Sequence, residues 1–403
     1  MDKRKILLIT SVFLPEPVVS ANLMYDLACE LSKNHEVCVI CPPATRPMGF
    51  KMEKRNFGTN KFKLLEVPSF TYPQSKLYGR FKESYSLGHQ IRKYIKHHHE
   101  EFDLILNGAW PLAGQFVIAK TAKKYKIPYI STVQDIYPES ITSHINNKLV
   151  SNLALKLLFP IDKYILKNAV KIHTISDKMV EYLSKTRDID QNKFFFVKNW
   201  QDEKIFIDFN DLNNKKNHSN FFTFMYMGNV GPLAGLELVI NSFSKANLSN
   251  ARLIIAGDGS VKQSLKEYVK QNQIRNIEFW DVPSGQVPMI QSHADVMLLP
   301  IKKGYSATSI PSKLPAYMFS KKPILACVDK ESDTARSIEL SGSGWIVEPE
   351  NCEKLTEAMI KAVNSDNILL QEMGQKGYDF SIKYFSKSEN LKKYITEINK
   401  LFQ

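Results

Sequence analysis

The sequence predicts an α/β protein built as two domains, each a parallel sheet with helices on both faces. Three observations carry that expectation. The chain has 403 residues, too many for one ordinary core and enough for two domains of near-equal size. From Lys5 onward, short apolar runs alternate with longer amphipathic stretches, the pattern of βαβ units. The alternation starts afresh after 208–220, a stretch rich in Asn and Lys with little apolar periodicity that reads as an interdomain linker.

In the first half, 6–11 reads as a strand, 13–20 as a loop around Pro15, Glu16 and Pro17, 21–32 as a helix and 37–41 as the next strand. The segment 62–67 adds a strand, and 75–99 a helix in which Lys76, Arg80, Lys82, Arg92, Lys93 and Lys96 stand beside Leu77, Tyr78, Phe81, Tyr85 and Tyr94. Basic and aromatic residues at this density suit an anionic lipid surface, and equally an ordinary surface helix with a partly aromatic inner face. Strand 103–107, helix 112–124 and strand 129–133 follow. That last strand delivers Gln134 to Ser140 to the sheet edge where ligands bind. Its two carboxylates, Asp135 and Glu139, can serve as acid/base groups or hold sugar hydroxyls, or Asp135 can cap a turn before Pro138. A long amphipathic helix at 149–167, a strand at 171–175, a helix from Asp177 capped by Ser176 and a strand at 194–197 complete this half.

The second half repeats the pattern. Strand 222–227 runs into the loop Gly228 to Pro232, followed by helix 235–246, strand 252–256, the turn Gly257 to Gly259, helix 260–271, strand 277–280, helix 285–293 and strand 296–299. Glycines after two strands of one sheet let backbone approach a ligand closely, and these loops would converge on one crevice. The stretch 302–328 is the most informative. Ser306, Thr308 and Ser309 lead to Pro311, expected as the first residue of a helix that carries Leu314, Tyr317 and Met318 on one side and ends near Ser320. Free N–H groups at a helix start, flanked by Lys302, Lys303 and Lys313, form an anion cradle suited to a phosphate or diphosphate; an ordinary strand-loop-helix joint has the same pattern. Strands at 324–328 and 345–347 and helices at 352–363 and 388–402 close the chain.

With 43% hydrophobic and 24% charged residues the chain is neither disordered nor membrane-spanning. Lys3, Arg4 and Lys5 before an apolar run resemble a leader, but no small-residue cleavage site follows and the run serves as a retained first strand. Five cysteines between Cys29 and Cys352, an odd number, point to a reducing compartment. Cys38 and Cys41 lie within a strand and read as buried thiols, and His97 to His99 as the end of a solvated helix, so no metal site is expected. The formal charge of +13 calls for an anionic partner. Phosphorylated small molecules and a membrane surface fit; nucleic acid does not, because the basic residues are dispersed and no binding motif appears.

The order of motifs is more specific than any one of them. A first half opening on a strand, a PEP loop and a helix, with VQDIYPES later, is joined to MGNVGPLAGLELVINSF, LIIAGDGS, IEFWDVP, ADVMLLP and IPSKLPAYMFSKKPIL. This resembles the family-four glycosyltransferases of the GT-B fold, most of all bacterial members that build O-antigen, capsule or exopolysaccharide and transfer L-fucosamine or other N-acetylated amino sugars. The resemblance implies two Rossmann-like domains facing a central cleft: 1–205 on the acceptor side, 206–385 binding the nucleotide sugar, and 386–403 as a helix packing back on the first domain. It implies a retaining, metal-independent transfer of a hexosyl group from a UDP-sugar to a lipid-linked or growing saccharide, with no cofactor, in the cytoplasm or at the inner face of the membrane. Carried over by position, Asp135 is the catalytic candidate. Gly228, Asn229 and Gly257 approach the diphosphate or sugar, and Asp281 and Val282 meet the base. Ser309 and Ile310 meet the phosphates, Lys313 supplies a cation for phosphate or ribose, Thr308 stands on the donor side with them, and Pro15, Glu16 and Ser20 line the acceptor side. Two departures stand out. The family's paired glutamates fall on Thr308 and Ala316, and its Arg and Lys after the second domain's first strand fall on Asn229 and the Pro232 to Ala234 stretch. A UDP-sugar epimerase or hydrolase of the same fold, or a non-catalytic binding partner, are the competing readings.

Overall fold

Strands of a parallel sheet are covered on both faces and therefore read as near-continuous apolar runs. The first, β1 (Lys5–Ile9), is followed by α1 (Val19–Leu31), β2 (Glu36–Cys41), β3 (Lys63–Glu66), α2 (Leu77–His98), β4 (Leu104–Asn107), α3 (Leu112–Tyr125), β5 (Tyr129–Val133), the single turn α4 (Glu139–Thr142), α5 (Lys148–Asn168), β6 (Lys171–Thr174), α6 (Asp177–Arg187) and β7 (Phe194–Phe196). The chain continues with α7 (Lys204–Leu212), β8 (Phe222–Met227), α8 (Leu236–Ala246), β9 (Ala251–Ala256), α9 (Lys262–Gln271), β10 (Ile277–Trp280), α10 (Val287–Ser292), β11 (Val296–Pro300), α11 (Lys313–Phe319), β12 (Ile324–Cys327), α12 (Asp333–Ser341), β13 (Gly344–Val347), α13 (Cys352–Val363), α14 (Asn367–Phe385) and α15 (Lys387–Asn399). This computed structural model describes residues 3–46, 62–72, 77–108, 111–142, 145, 147–212, 221–304 and 310–403. The expected roles of Thr308 and Ser309, and the end of the expected linker, lie outside the described residues.

The chain divides into two units, Met1–Asn199 with Asn390–Gln403, and Trp200–Glu389. The division therefore falls a few residues earlier than the sequence suggested at the first crossing and a few later at the second. The first unit holds a sheet in the order β3-β2-β1-β4-β5-β6-β7, the second a sheet in the order β10-β9-β8-β11-β12-β13. All the strand pairs among the described residues are parallel. Strand order reverses at β1/β4 in one sheet and at β8/β11 in the other, which are the places where doubly wound sheets leave a crevice at their carboxyl ends. Leu7, Ile9, Ile105 and Ile172 anchor the first core, and Phe224, Ile255, Leu298 and Leu325 the second.

Two expectations are corrected. The start of the supposed linker is α7, whose Phe206 is fully buried with its ring 5.6 Å from that of Phe319. The helix expected to open at Pro311 begins instead at Lys313, and Ser312 ahead of it makes no side-chain cap. Besides α7 and the single turn α4, two helices, α12 and α14, have no counterpart in the sequence reading. The inner face of α14 places Gly374, Gly377 and Ser381 between the buried Leu370 and Phe385, and a Cβ at Gly374 would sit 2.1 Å from the Lys321 carbonyl oxygen.

The segments on either side of α14 and α7 are knitted together. Gln201 N–H donates to the Phe385 carbonyl at 3.0 Å, and Lys387 N–H donates to the Gln201 carbonyl at 3.1 Å. The buried Glu203 carboxylate accepts from Lys387 N–H (2.7 Å), Ser388 N–H (3.2 Å) and the Ser388 hydroxyl (2.5 Å), so it satisfies the first turn of α15. Farther along α15, buried Tyr394 packs edge-on to His173 at 4.7 Å and to Phe195 at 5.3 Å, and its hydroxyl lies 3.4 Å from that of Thr132.

Burial drives the His173 pKa down to about 4, against the Val197 carbonyl that bonds its Nε2 at 3.0 Å. Among the described residues its Nδ1 has no hydrogen-bond partner, so a second ring proton would be stranded. In the unfolded chain the same ring protonates near 6.5. Between those values the unfolded state binds more protons than the folded state, so this group's share of stability is whole above about pH 6.5 and shrinks as pH falls toward 4. Urea unfolding followed by circular dichroism should show a loss of about 1 kcal/mol from this group on going from pH 7.5 to 5.5, and His173→Gln should remove that part of the pH dependence.

Candidate functional site

In the second unit, three loops and one short helix meet at the carboxyl end of β8. The buried Tyr317 hydroxyl on α11 accepts from Met227 N–H at 3.0 Å and donates to the Met227 carbonyl at 2.7 Å, which fixes α11 to the last residue of the strand. The next residue, Gly228, has φ +146°, and a Cβ there would lie 2.2 Å from Lys313 Cε. The lysine stem thus crosses directly over the glycine backbone, with its Nζ 5.4 Å from the Tyr226 ring centre. Gly257, at φ +128°, is needed for a similar reason: a Cβ would meet the Gly228 carbonyl oxygen at 2.1 Å. Tyr226 donates its hydroxyl to the Asn229 carbonyl at 2.6 Å, and Gly257 N–H donates to the Trp280 carbonyl at 3.0 Å.

Gly228, Asn229, Gly257 and Lys313, chosen from the sequence, therefore come together. Lys313 is half-buried, and among the described residues no carboxylate pairs with it. Burial pulls its ammonium below the usual lysine range. Asp281 and Val282 follow β10 on the neighbouring strand. The Asp281 carboxylate is exposed and bonded to Lys262 Nζ at 2.6 Å, a contact that holds its pKa below the ordinary range, while Val282 and Ile310 pack on the apolar layer under α11. The residues that sequence reading did not single out as site residues are Tyr226 and Tyr317, whose signal was only that of aromatic residues in apolar positions.

The first unit holds a pocket of about 290 Å³ at the carboxyl ends of β1, β4 and β5, lined by Ser11, Ser20, Arg80, Gln115, Thr132 and Asp135 among others. Most of the charge around it is paired. The Arg46 guanidinium meets Glu83 on α2 at 2.6 Å. Ser84 donates to the Pro111 carbonyl at 2.6 Å and accepts from Gly114 N–H at 2.8 Å, tying α2 to α3. Asp135 keeps contact with solvent at the pocket wall. The surrounding walls raise its carboxyl pKa by desolvation, and the positive charge of Arg80 opposes them.

Ser20 lines this pocket, whereas Pro15 and Glu16 are not among its lining residues. Glu16 is buried, and its carboxylate accepts from Phe13 N–H (3.3 Å), Thr45 N–H (2.8 Å) and Arg46 N–H (2.9 Å), so it braces the loops after β1 and β2. Glu139 is likewise engaged elsewhere. Fully buried Arg187 at the end of α6 donates to both Glu139 oxygens at 2.7 Å, to Asp162 at 2.7 Å and to the Tyr137 carbonyl at 2.6 Å. Burial works to raise the Glu139 carboxyl, but the Arg187 hydrogen bonds overcome it and hold the pKa low; Asp162 is pushed up to about 6 by its burial despite the same guanidinium. The sequence showed Arg187 only as a basic residue in a last helical turn.

Two units, each with a parallel sheet whose strand order reverses once, define a doubly wound α/β class. Over 98% of this chain and 100% of the other, the fold is similar to a solved structure of Anabaena Alr3699/HepE in complex with UDP, at 13% identity and a TM-score of 0.68. Residues 20–203 match Glycosyltransferase Family 4, and residues 208–380 match Glycosyl transferases group 1. Between them these matches take in nearly the whole chain, which belongs to this class of GT-B glycosyltransferases. Among curated relatives, "Probable glycosyltransferase WbjE" of Pseudomonas aeruginosa is 26% identical, covering 62% of this chain and 63% of its own. The O-antigen biosynthesis glycosyltransferase WclY of Escherichia coli is 28% identical, covering 55% of this chain and 62% of its own. The match thus spans less than two thirds of the length of either relative.

Removing the Arg187 guanidinium strands two carboxylates and a carbonyl. Arg187→Met should cost about 3–5 kcal/mol in denaturant unfolding, whereas Lys245→Met, which breaks an exposed pair with Glu353, should cost less than about 1 kcal/mol.

Proposed function

We propose that this protein is a glycosyltransferase of surface polysaccharide biosynthesis that moves a sugar, N-acetylated in our reading, from a UDP-sugar to a lipid-linked or growing saccharide. The observation that carries the reading is Lys313 laid across Gly228 beside Tyr226. A half-buried cation without a carboxylate, next to backbone opened by glycines, matches the demand of a diphosphate leaving group. Arrival of that anion would reverse the desolvation that depresses the lysine. The loops after β9 and β10, with Asp281 and Val282, take the nucleotide, and the pocket with Asp135, Arg80 and Ser20 takes the acceptor.

In the transfer the acceptor oxygen bonds to the anomeric carbon as the bond from that carbon to the diphosphate breaks. The acceptor proton passes to the departing phosphate oxygen on the same face of the sugar, which retains configuration and needs no metal. Asp135 orients the acceptor hydroxyl.

A thermal-shift series with UDP, GDP, ADP and CMP tests the donor: UDP alone should raise the melting temperature. Lys313→Ala should weaken UDP binding by about 1.5–3 kcal/mol with the fold intact. Asp135→Asn should leave UDP affinity unchanged and abolish acceptor-stimulated UDP release. Unaltered UDP affinity in folded Lys313→Ala would overturn the cradle. UDP release that needs no acceptor would instead favour a hydrolase or epimerase.

A further inference from the structure

Two helices of the first unit each leave a line of apolar side chains in water. On α5, Leu149, Leu153 and Leu157 recur every fourth residue with exposures of 82%, 60% and 64%, and Val150 stands beside them. Residues at that spacing share a helix face, so this is one stripe. On α2, Tyr78 (80% exposed), Phe81 and Tyr85 make a second, aromatic stripe. Both helices also wall the first unit's pocket, α2 through Arg80, Glu83 and Ser84, α5 through Asp162 and Leu166. The sequence pointed to α2 alone; α5 there was an amphipathic helix whose apolar side was free to be core.

Exposed leucines spaced for a face normally cover something, and charge says what. Residues 148–161 contain Lys148 and Lys156 and no carboxylate. The one carboxylate of α2, Glu83, is neutralised by Arg46, while Arg80 and Lys82 remain on that helix; Lys82 lies over the Phe70 ring at 4.4 Å. A second copy of this chain would bring the same cations against one another. Anionic headgroups would complement them, with apolar residues reaching the acyl boundary.

We propose that the leucine stripe of α5, assisted by the aromatic stripe of α2, docks this protein on an anionic lipid surface. The proposal rests on the acceptor reading above for its purpose, since a lipid-carried acceptor would be met at that surface, beside the pocket.

The test is flotation of the purified chain with vesicles of phosphatidylcholine and with vesicles of phosphatidylcholine mixed with phosphatidylglycerol. The wild type should float with the anionic vesicles, less so in high salt, and only weakly with the neutral ones. The triple variant Leu149→Glu, Leu153→Glu, Leu157→Glu should lose roughly tenfold or more in partitioning. Leu340→Glu with Ile368→Glu, exposed residues of the second unit, should change nothing. All three positions are exposed, so the melting temperature should be retained; Leu153→Gln alone, with a smaller loss, serves as the milder variant. Equal flotation of the triple variant, or no flotation of the wild type, would overturn the proposal. So would a wild-type dimer in light scattering that the triple variant converts to monomer, because the stripe would then be a self-association face. UDP-induced thermal shifts on the same samples separate the two readings: lipid binding without a UDP shift counts against the donor assignment and leaves the docking face standing.

Discussion

The second unit's candidate site depends on one hydroxyl. Met227 ends β8 in the core, where an unpaired N–H or carbonyl would cost about 1–3 kcal/mol, and Tyr317 satisfies both at once. Because that hydroxyl stands on the second turn of α11, it also sets the distance from the strand end to the helix start. Lys313, one turn earlier, is thereby brought over Gly228. A phenylalanine would fill the same space but leave the strand end untied. The glycines then follow: at 257 a Cβ would strike the Gly228 carbonyl oxygen at 2.1 Å, and at 228 the φ of +146° itself favours a residue without Cβ.

The two units distribute charge differently, and the difference bears on what each can bind. Around the first unit's pocket the cations and carboxylates are largely matched: Arg46 with Glu83, Arg187 with Glu139 and Asp162. Ionised groups buried this way fix geometry and leave little net field, so what faces the pocket is the weaker pair of Arg80 and Asp135 and a set of hydroxyls and amides. Neutral, hydroxyl-rich molecules suit such a surface. In the second unit Lys313 is left uncompensated among the described residues, as an anion would require.

Much of the fold was legible because parallel strands announce themselves. Runs such as 6–9 and 296–299 are apolar on both faces, and the caps that set helix starts, Ser176 above all, are local. The glycine loops were legible for the same reason, since their positions after strands are fixed by topology. What could not be read depends on distant partners. Glu16 looked like a site residue in a loop, but its three N–H partners include Thr45 and Arg46 on another loop. Arg187 gave no sign of Glu139, far back in the chain. Helix α14 hid because the middle of its buried face, between Leu370 and Phe385, is glycine and serine, chosen for close approach to α11 and its flanking turn, so the apolar period that marks a helix is interrupted.

The departures from the family pattern can be weighed physically at one of the two positions. Ala316 is buried on α11 within the layer that holds Met227, Leu299 and Tyr317. A glutamate there would bring a charge into that layer, at a cost of several kcal/mol unless paired, or would push α11 outward and break the Tyr317 contacts. In this chain the helix is packed for alanine. The same absence removes a carboxylate that could have drawn on Lys313, one turn away on the same helix. The loss of the acid and the freedom of the cation are thus two sides of one arrangement; in the transfer proposed above, contact with the donor would shift from carboxylate acceptors toward a single ammonium and backbone N–H groups.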